Sequence, residues 1–455
     1  MPISDDDTIA SISSAPSSAA IGIIRISGPR SLSLLKSLCS AKKGSFIPNM
    51  IKFAQASHPK RSHLIDEVMA VYLKAPASFT GEDMAEIYCH GGIAVMTAIM
   101  DCLIGLGARQ AERGEFSKRA FLNGKIDLIK AEAIAAIIGS RTQEGANAAA
   151  SQLGGILSKK IGEITGRLTA ILALIEAHLD FPEEMGKPNI RSIRKMMSQQ
   201  IKALDELLNT ADQGRILTAG VDCVIAGAPN AGKSSLLNAL LKFERAIVTG
   251  IPGTTTDTIE EAINIKGIAI KLIDTAGIRK GRGEVEAKGI VRTREAIERA
   301  DIVIVVVDGA KALSKHDKDI LQQAKEARGA AIVALNKSDI GRKINKRELK
   351  GFETVHISAL TGKGLKALEK TLLNVITSKR IDPKDALLIS TRQKGSAMEA
   401  RDALKRGFSA ISNDFCPELA GIDVKEAISS LRNMTGEGVS SQIAEEIFSR
   451  FCIGK

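Results

Sequence analysis

The stretch CVIAGAPNAGKSSLLNALL, residues 223–241, decides the fold. It begins as an apolar run, turns through Gly227, Pro229 and Gly232, and continues with leucines at helical spacing. Gly227 to Ser234 fits G-x-x-x-x-G-K-[ST] in the strand–loop–helix setting that this motif needs. Its glycines let the backbone wrap a phosphate, with loop amides and the helix N-terminus aimed at the anion. The loop residues Asn230, Ala231, Gly232, Lys233, Ser234 and Ser235 are therefore candidate phosphate contacts. Lys233 would reach the β- and γ-phosphates, and Ser234 would ligate Mg²⁺.

Working outward, strand-like and helical runs alternate from about 216 to 379. The strands read GVDCVIAG, IAIKLIDTAG, DIVIVVVDG, AAIVALNKSD and TVHISAL. Such alternation predicts a mostly parallel, doubly wound sheet. The further nucleotide-type elements sit at strand ends, in the right order. IPGTTTD supplies Thr255, a second Mg²⁺ ligand and γ-phosphate sensor, and the turn from Thr249 through Gly250, Ile251, Pro252, Gly253 and Thr254 belongs with it. DTAG supplies Asp274 on the Mg²⁺ side, then Thr275, Ala276 and the Gly277 amide. NKSD supplies Asp339, whose carboxylate can accept both donors of a guanine edge, braced by Asn336 and Lys337. Ser358, Ala359 and Leu360 complete the base pocket. The ordered set predicts a GTP site.

One residue sits oddly in that set. Ile278 follows DTAG, where many GTPases carry the Gln that orients the attacking water. An isoleucine cannot hold a water, so another group must.

The flanks differ in texture. Residues 1–118 mix β-like runs (IGIIRISG, EVMAVYLKAP, AEIYCHGG) with a helical pattern, IAVMTAIMDCLIGLG, and read as an α/β domain. Residues 119–215 and 380–455 are helical, which predicts one helical domain split by the 216–379 insertion. Three consecutive domains is the alternative division. The predicted class is thus α/β plus all-α.

Composition narrows the function classes. The net charge is +11 and the pI near 9.3, which suits either a polyanionic partner such as RNA or a solvated basic surface. Aromatic content is 3% with no Trp, so a broad base-stacking platform is not expected. Six scattered cysteines suggest neither a disulfide framework nor a zinc site, but reduced thiols of a cytoplasmic protein. MPISDDDTIA is acidic where a targeting peptide would be basic. The strongest apolar run, IVIVVV, suits a buried strand and not a membrane span.

Further blocks carry a resemblance. GIIRISGP, SFTGEDMAEIYCHGG, GEFSKRAFLNGKIDLIKAEAI, DFPEE and the terminal FCIGK together resemble the MnmE (TrmE) family of tRNA-modification GTPases over nearly the whole chain. The resemblance implies a homodimer formed through N-terminal domains that bind 5-formyl- or methylene-tetrahydrofolate. It implies a flavin-dependent partner, MnmG (GidA), in a heterotetramer or larger complex. Together they would install a carboxymethylaminomethyl-type group at C5 of the wobble uridine of tRNA. Arg25, Glu86, Lys125 and Lys455 match the family's folate-contact positions; on the residues alone, each reads as readily as a surface ion pair. Cys452, three residues before Lys455, is either a tail thiol or a nucleophile near the one-carbon unit.

The same resemblance answers Ile278. Glu286 matches the family's catalytic glutamate, and a carboxylate can orient a water. Glu284 is the local alternative. Asn230, Thr249, Ile251 and Thr254 match K⁺-binding positions, and K⁺ between the phosphates would act as an arginine finger does. Arg279 is a further candidate for the switch or dimer contact, and the resemblance implies that hydrolysis depends on K⁺ and is coupled to a meeting of the G domains across the dimer. Two departures stand out: PSSAAIG replaces a Gly/Arg-rich turn, and Thr256 replaces the usual Arg. The competing reading is a regulatory GTP switch in ribosome assembly, which would need an RNA-binding domain and no folate site.

Overall fold

The structure is a computed structural model of the 455-residue chain. It describes all residues except 1–6, 16, 43, 62, 186–188, 244–260, 275–292, 342, 345, 377–385, 415–416, 440, 450, 452–453 and 455. The chain forms two compact units, Met1–Ala135 with Lys425–Lys455, and Ala136–Val424.

The first unit is built on a seven-stranded sheet in the order β3-β4-β5-β6-β2-β1-β7. Its strands are β1 (Ile9–Ile12), β2 (Ala19–Ser27), β3 (Cys39–Ala41), β4 (Lys52–Ser57), β5 (Leu64–Leu73), β6 (Met84–Gly91) and β7 (Arg109–Gln110). All neighbours pair antiparallel except β1 with β7. Period-two alternation sends Ile24, Ile26, Ala54, Val68 and Ile87 to one face. The helices Ser31–Leu38 and Ile93–Gly105 cover that face, burying Leu34, Leu35, Met96, Ile99 and Leu103. The other face carries Arg25 and Glu86, and leaves Phe53 and Met69 exposed. A smaller cluster seats the tail: Phe448 and Phe451 pack with Leu128 and Ala131, beside Phe121.

The second unit holds a six-stranded sheet in the order β13-β12-β11-β8-β10-β9. The strands are β8 (Val221–Gly227), β9 (Glu261–Ile265), β10 (Ile268–Asp274), β11 (Ile302–Asp308), β12 (Ala330–Asn336) and β13 (Glu353–His356). Five run parallel; β9 joins β10 antiparallel at the edge. The apolar run in β11 has two jobs. Ile302, Ile304 and Val306 enter the core on one side of the sheet, and Val303, Val305 and Val307 enter the core on the other. Such a strand reads as unbroken hydrophobicity because both faces are covered.

Long helices complete this unit. Ile156–Asp180 buries Leu157, Ile161, Ile164, Leu168, Ile171 and Ile175, spaced by three or four residues. Ile190–Leu208 packs along Thr391–Asp414, so helices from before and after the sheet meet. Gln152, on the helix Gln143–Leu153, ties to the returning chain: its amide nitrogen donates to the Leu387 carbonyl and, at 3.3 Å, to Gln393. Among the described residues no helix is long and apolar enough to cross a membrane.

Candidate nucleotide-binding site

Strand order locates the site before any side chain does. From β8 the chain goes to β10 on one side and to β11 on the other. Ligands of open α/β sheets bind beyond the strand C-termini at such a switch point. The loop there, Ala228 to Gly232, joins β8 to the helix Lys233–Phe243. Gly232 takes φ +99°, and a Cβ on it would collide with the Asn336 side-chain amide. Asn230 takes φ +63°, a conformation that asparagine tolerates better than most residues. The loop curls around its own lysine. Lys233, buried, donates Nζ–H to the carbonyls of Gly227 at 2.9 Å and Ala228 at 3.0 Å.

The end of β12 locks this loop in place. Asn336, buried, donates Nδ2–H to the Ala231 carbonyl at 2.9 Å and accepts the Ala359 amide on Oδ1 at 2.9 Å. Lys337 donates to the Asn230 carbonyl at 3.0 Å and pairs with Asp308 at 2.7 Å. Asp308 closes β11. Burial pushes its carboxyl up, but bonds from Lys337 and the Ala310 amide, with the charges of Lys337 and Lys311, hold it below the usual range. Asp339 is likewise held low, by the hydroxyl of buried Ser358 and by its own amide. It is therefore ionised at neutral pH and can accept two N–H donors. Ile340 and Leu360 stand exposed on the same loops, apolar surface suited to a ring face.

Sequence reasoning missed Asp308 and Ile340. Asp308 had a signal, since VVVDG ends a strand on the same side as NKSD; Ile340 had none. Thr249 to Thr255, Thr275 to Arg279 and Glu286 lie outside the described residues, and of Asp274 only its place at the end of β10, paired to β8 at Ile225, is described.

In the N-terminal unit the structure brings Arg25 and Glu86 together. They are cross-strand neighbours on β2 and β6, with Arg25 Nε 2.8 Å from Glu86 Oε1. Tyr88, missed in the sequence, donates its hydroxyl to the other Glu86 oxygen. Burial, and then that bond, push the phenol up to about 12. Arg25 also lies over the Phe79 ring, 5.8 Å from its centre. Lys125 is exposed and donates to the Pro76 carbonyl at 3.0 Å, so it reaches the same 76–82 loop from another side. Cys452 and Lys455 lie outside the described residues.

Known proteins bear on both units. The family model described as the GTP-binding protein TrmE N-terminus matches residues 8–125, and the MnmE helical domain model matches residues 128–452. The tRNA modification GTPase MnmE of Geobacter metallireducens is 40% identical over 458 residues, covering 99% of each chain. The chain belongs to the MnmE family of tRNA-modification GTPases. The MnmE of Natranaerobius thermophilus is 38% identical, covering 99% of this chain and all of the relative. Two solved structures are also similar. The G domain of the T. maritima FeoB iron transporter is 30% identical, with TM-score 0.26, over 34% of this chain and 98% of that one. A variant of Aquifex aeolicus Era bound to GDP·AlF4⁻ is 26% identical, with TM-score 0.28, over 40% of this chain and 66% of that one.

As a member of the MnmE family, the protein is a GTP-hydrolysing enzyme of tRNA modification. Family membership implies GTP with Mg²⁺. The residues present fit that ion: Ser234 lies in the first turn of the helix after β8, and Asp274 ends the adjacent strand β10. A hydroxyl and a carboxylate are hard oxygen donors of the kind that Mg²⁺ takes. When bound, the ion would neutralise charge on the β- and γ-phosphates. Among the described residues no group of three or more His, Cys, Asp or Glu could hold a metal by itself.

Proposed function

We propose that this MnmE-family GTPase, with a flavin-dependent MnmG (GidA) partner, installs a carboxymethylaminomethyl-type group at C5 of the tRNA wobble uridine. The carbon comes from 5-formyl- or methylene-tetrahydrofolate. The protein works in the cytoplasm as a homodimer joined through residues 1–118, with a helical domain of 119–215 and 380–455 and a G domain of 216–379.

The observation that carries the reading is the Arg25–Glu86–Tyr88 cluster in a unit that matches the family's N-terminal model. A guanidinium can meet the anionic glutamate tail of folate, and a carboxylate can accept from a pterin amino group. Tyr88 orients that carboxylate, while Lys125 and Lys455 add cations. The exposed Phe53 and Met69 on the same sheet face support a contact with a second copy. A ribosome-assembly switch would have no use for this cluster.

In the G domain, Lys233 and the loop amides hold the phosphates, Asn336, Lys337 and Asp339 hold the guanine, and Ser358 fixes Asp339. Ser234 and Thr255 ligate Mg²⁺. Glu286 orients the attacking water in place of a glutamine, and K⁺ held by Asn230, Thr249, Ile251 and Thr254 supplies the missing positive charge. Arg279 steadies the switch, and Cys452 stands near the one-carbon unit.

Nucleoside analysis of tRNA from cells lacking the protein tests the reading. The modified wobble uridine should disappear and return with the wild-type gene. Intact modification would overturn it. Titration of the full-length protein with 5-formyl-tetrahydrofolate separates the folate claim, since Glu86→Ala should abolish binding without touching GTP affinity.

A further inference from the structure

At the base of the six-stranded sheet, the end away from the phosphate loop, lies a cleft of about 500 Å³. Three elements of the second unit wall it. The helix Ala211–Ala219 brings Gln213 and Leu217, the turn between β9 and β10 brings Lys266, and the helix Leu365–Ile376 brings Lys366, Glu369 and Lys370. The volume lies in the range of small-molecule sites, roughly 300–1,000 Å³. It is separate from the GTP site by the length of β8, roughly 20 Å.

Its charge is unbalanced. Among the residues that line it, three ammonium groups face one carboxylate; a second carboxylate, Glu144, lies against Gly267, and none of the three lysines makes an ion pair among the described residues. Lys366 and Lys370 stand one helical turn apart, where like charges repel. Lys266 and Gly267 take φ +48° and +87° in a two-residue turn. Asn-Gly is the usual choice for such a turn, so a lysine there is strained as well as unpaired. On the first wall, the Gln213 side-chain oxygen is shut off from solvent with no hydrogen-bond partner among the described residues. A buried acceptor in that state needs a donor, and a turn of the terminal amide would bring the oxygen to the cleft that Gln213 lines.

We propose that this cleft binds a phosphate monoester of a ribose-sized polyol, with Lys266, Lys366 and Lys370 on the phosphate and Gln213 accepting from a hydroxyl. Ribose phosphate reaches a protein as a free small molecule or as the phosphorylated end of an RNA strand. Either would tie the helix Ala211–Ala219, which leads directly into β8, to the G domain's helix Leu365–Ile376.

The test uses the full-length protein saturated with GDP and Mg²⁺, so that the phosphate loop is filled. Calorimetric titrations with ribose 5-phosphate, inorganic phosphate and a 5′-phosphorylated RNA trinucleotide are compared. Ribose 5-phosphate should bind more tightly than inorganic phosphate. The double variant Lys366→Ala/Lys370→Ala, two exposed positions on a helix, should weaken it about tenfold or more, the loss of one or two charge-assisted contacts. Gln213→Leu should erase the preference over inorganic phosphate. GDP affinity should stay unchanged in both variants. Tighter binding of the RNA end assigns the source to RNA, and tighter ribose 5-phosphate assigns it to a free ligand. No binding of either, or binding that ignores the double variant, overturns the site. Equal wild-type affinity for inorganic phosphate and ribose 5-phosphate overturns the role of Gln213.

Discussion

Lys337 joins three strand ends with one side chain, since it closes β12, pairs with Asp308 at the end of β11 and holds the Asn230 carbonyl after β8. Lys337→Ala should therefore weaken GTP binding by about tenfold, through the released loop, while thermal stability changes little. Equilibrium titration with a fluorescent GTP analogue checks this. Arg119 presents the opposite balance. Its guanidinium is 1% exposed and meets Asp7, Glu82 and Glu115 at 3.0–3.3 Å. Arg119→Ala takes the cation from Glu82 and leaves Asp7 and Glu115 to Arg109, and should cost about 3 kcal/mol. Chemical denaturation, followed at the first unit's transition, reads that loss. The same cluster sets an acid limit. Burial raises the Glu115 carboxyl, but bonds from Arg109 and the Glu112 amide, the Arg109 charge and Arg119 outweigh it, so its net position is low. A carboxyl lowered by folding stabilises above its unfolded value, roughly 4.3, and that stability is lost as pH falls through the folded value. Stability should thus hold from neutral pH to about 5 and fall below about 4, with less of that fall in Glu115→Gln.

At the scale of elements, the phosphate loop shows what one glycine does. Gly232 sits in left-handed backbone against the Asn336 amide. Gly232→Ala should abolish measurable GTP binding yet leave the far-ultraviolet circular dichroism intact, because β8 and its helix keep their own cores. Loss of helix signal would show instead that the loop is needed to fold. This element was legible because three demands coincide in few residues: an apolar strand, a glycine turn and a helix start. β11 was legible for a related reason, since burial on both faces leaves six adjacent apolar residues. β3 and β7, of three and two residues, are too short to show alternation. β9 escaped as an edge strand in which the polar Asn264 interrupts the apolar positions. Arg25 and Glu86 could be singled out only by resemblance, since cross-strand pairing depends on a register between β2 and β6 that no local pattern encodes. Tyr88, two residues after Glu86 and so on the same face, was within reach once that strand was placed.

For the whole molecule, the open question is how hydrolysis proceeds with Ile278 where a glutamine is common. The two tasks of that glutamine region are water placement and charge compensation, and the sequence offers separate agents for them. If K⁺ does the second, the enzyme must distinguish alkali ions of equal charge, because an oxygen cage sized for K⁺ fits the smaller Na⁺ poorly. GTP turnover in KCl should then exceed that in NaCl at equal ionic strength by on the order of 10²-fold, the scale of losing one preorganised charge at the transition state. Equal rates would sink the K⁺ assignment, since general screening is the same in both salts. Glu286→Ala divides the work further. It should keep GTP affinity and lose on the order of 10²–10⁴ in turnover in KCl, as removal of a positioned acid–base group does. A matching loss of GTP affinity would make Glu286 structural. If, as the family resemblance implies, the G domains meet across the dimer, the KCl rate per chain should fall when dilution dissociates the dimer, followed by light scattering, and a rate per chain unchanged through that dissociation would detach hydrolysis from dimerisation.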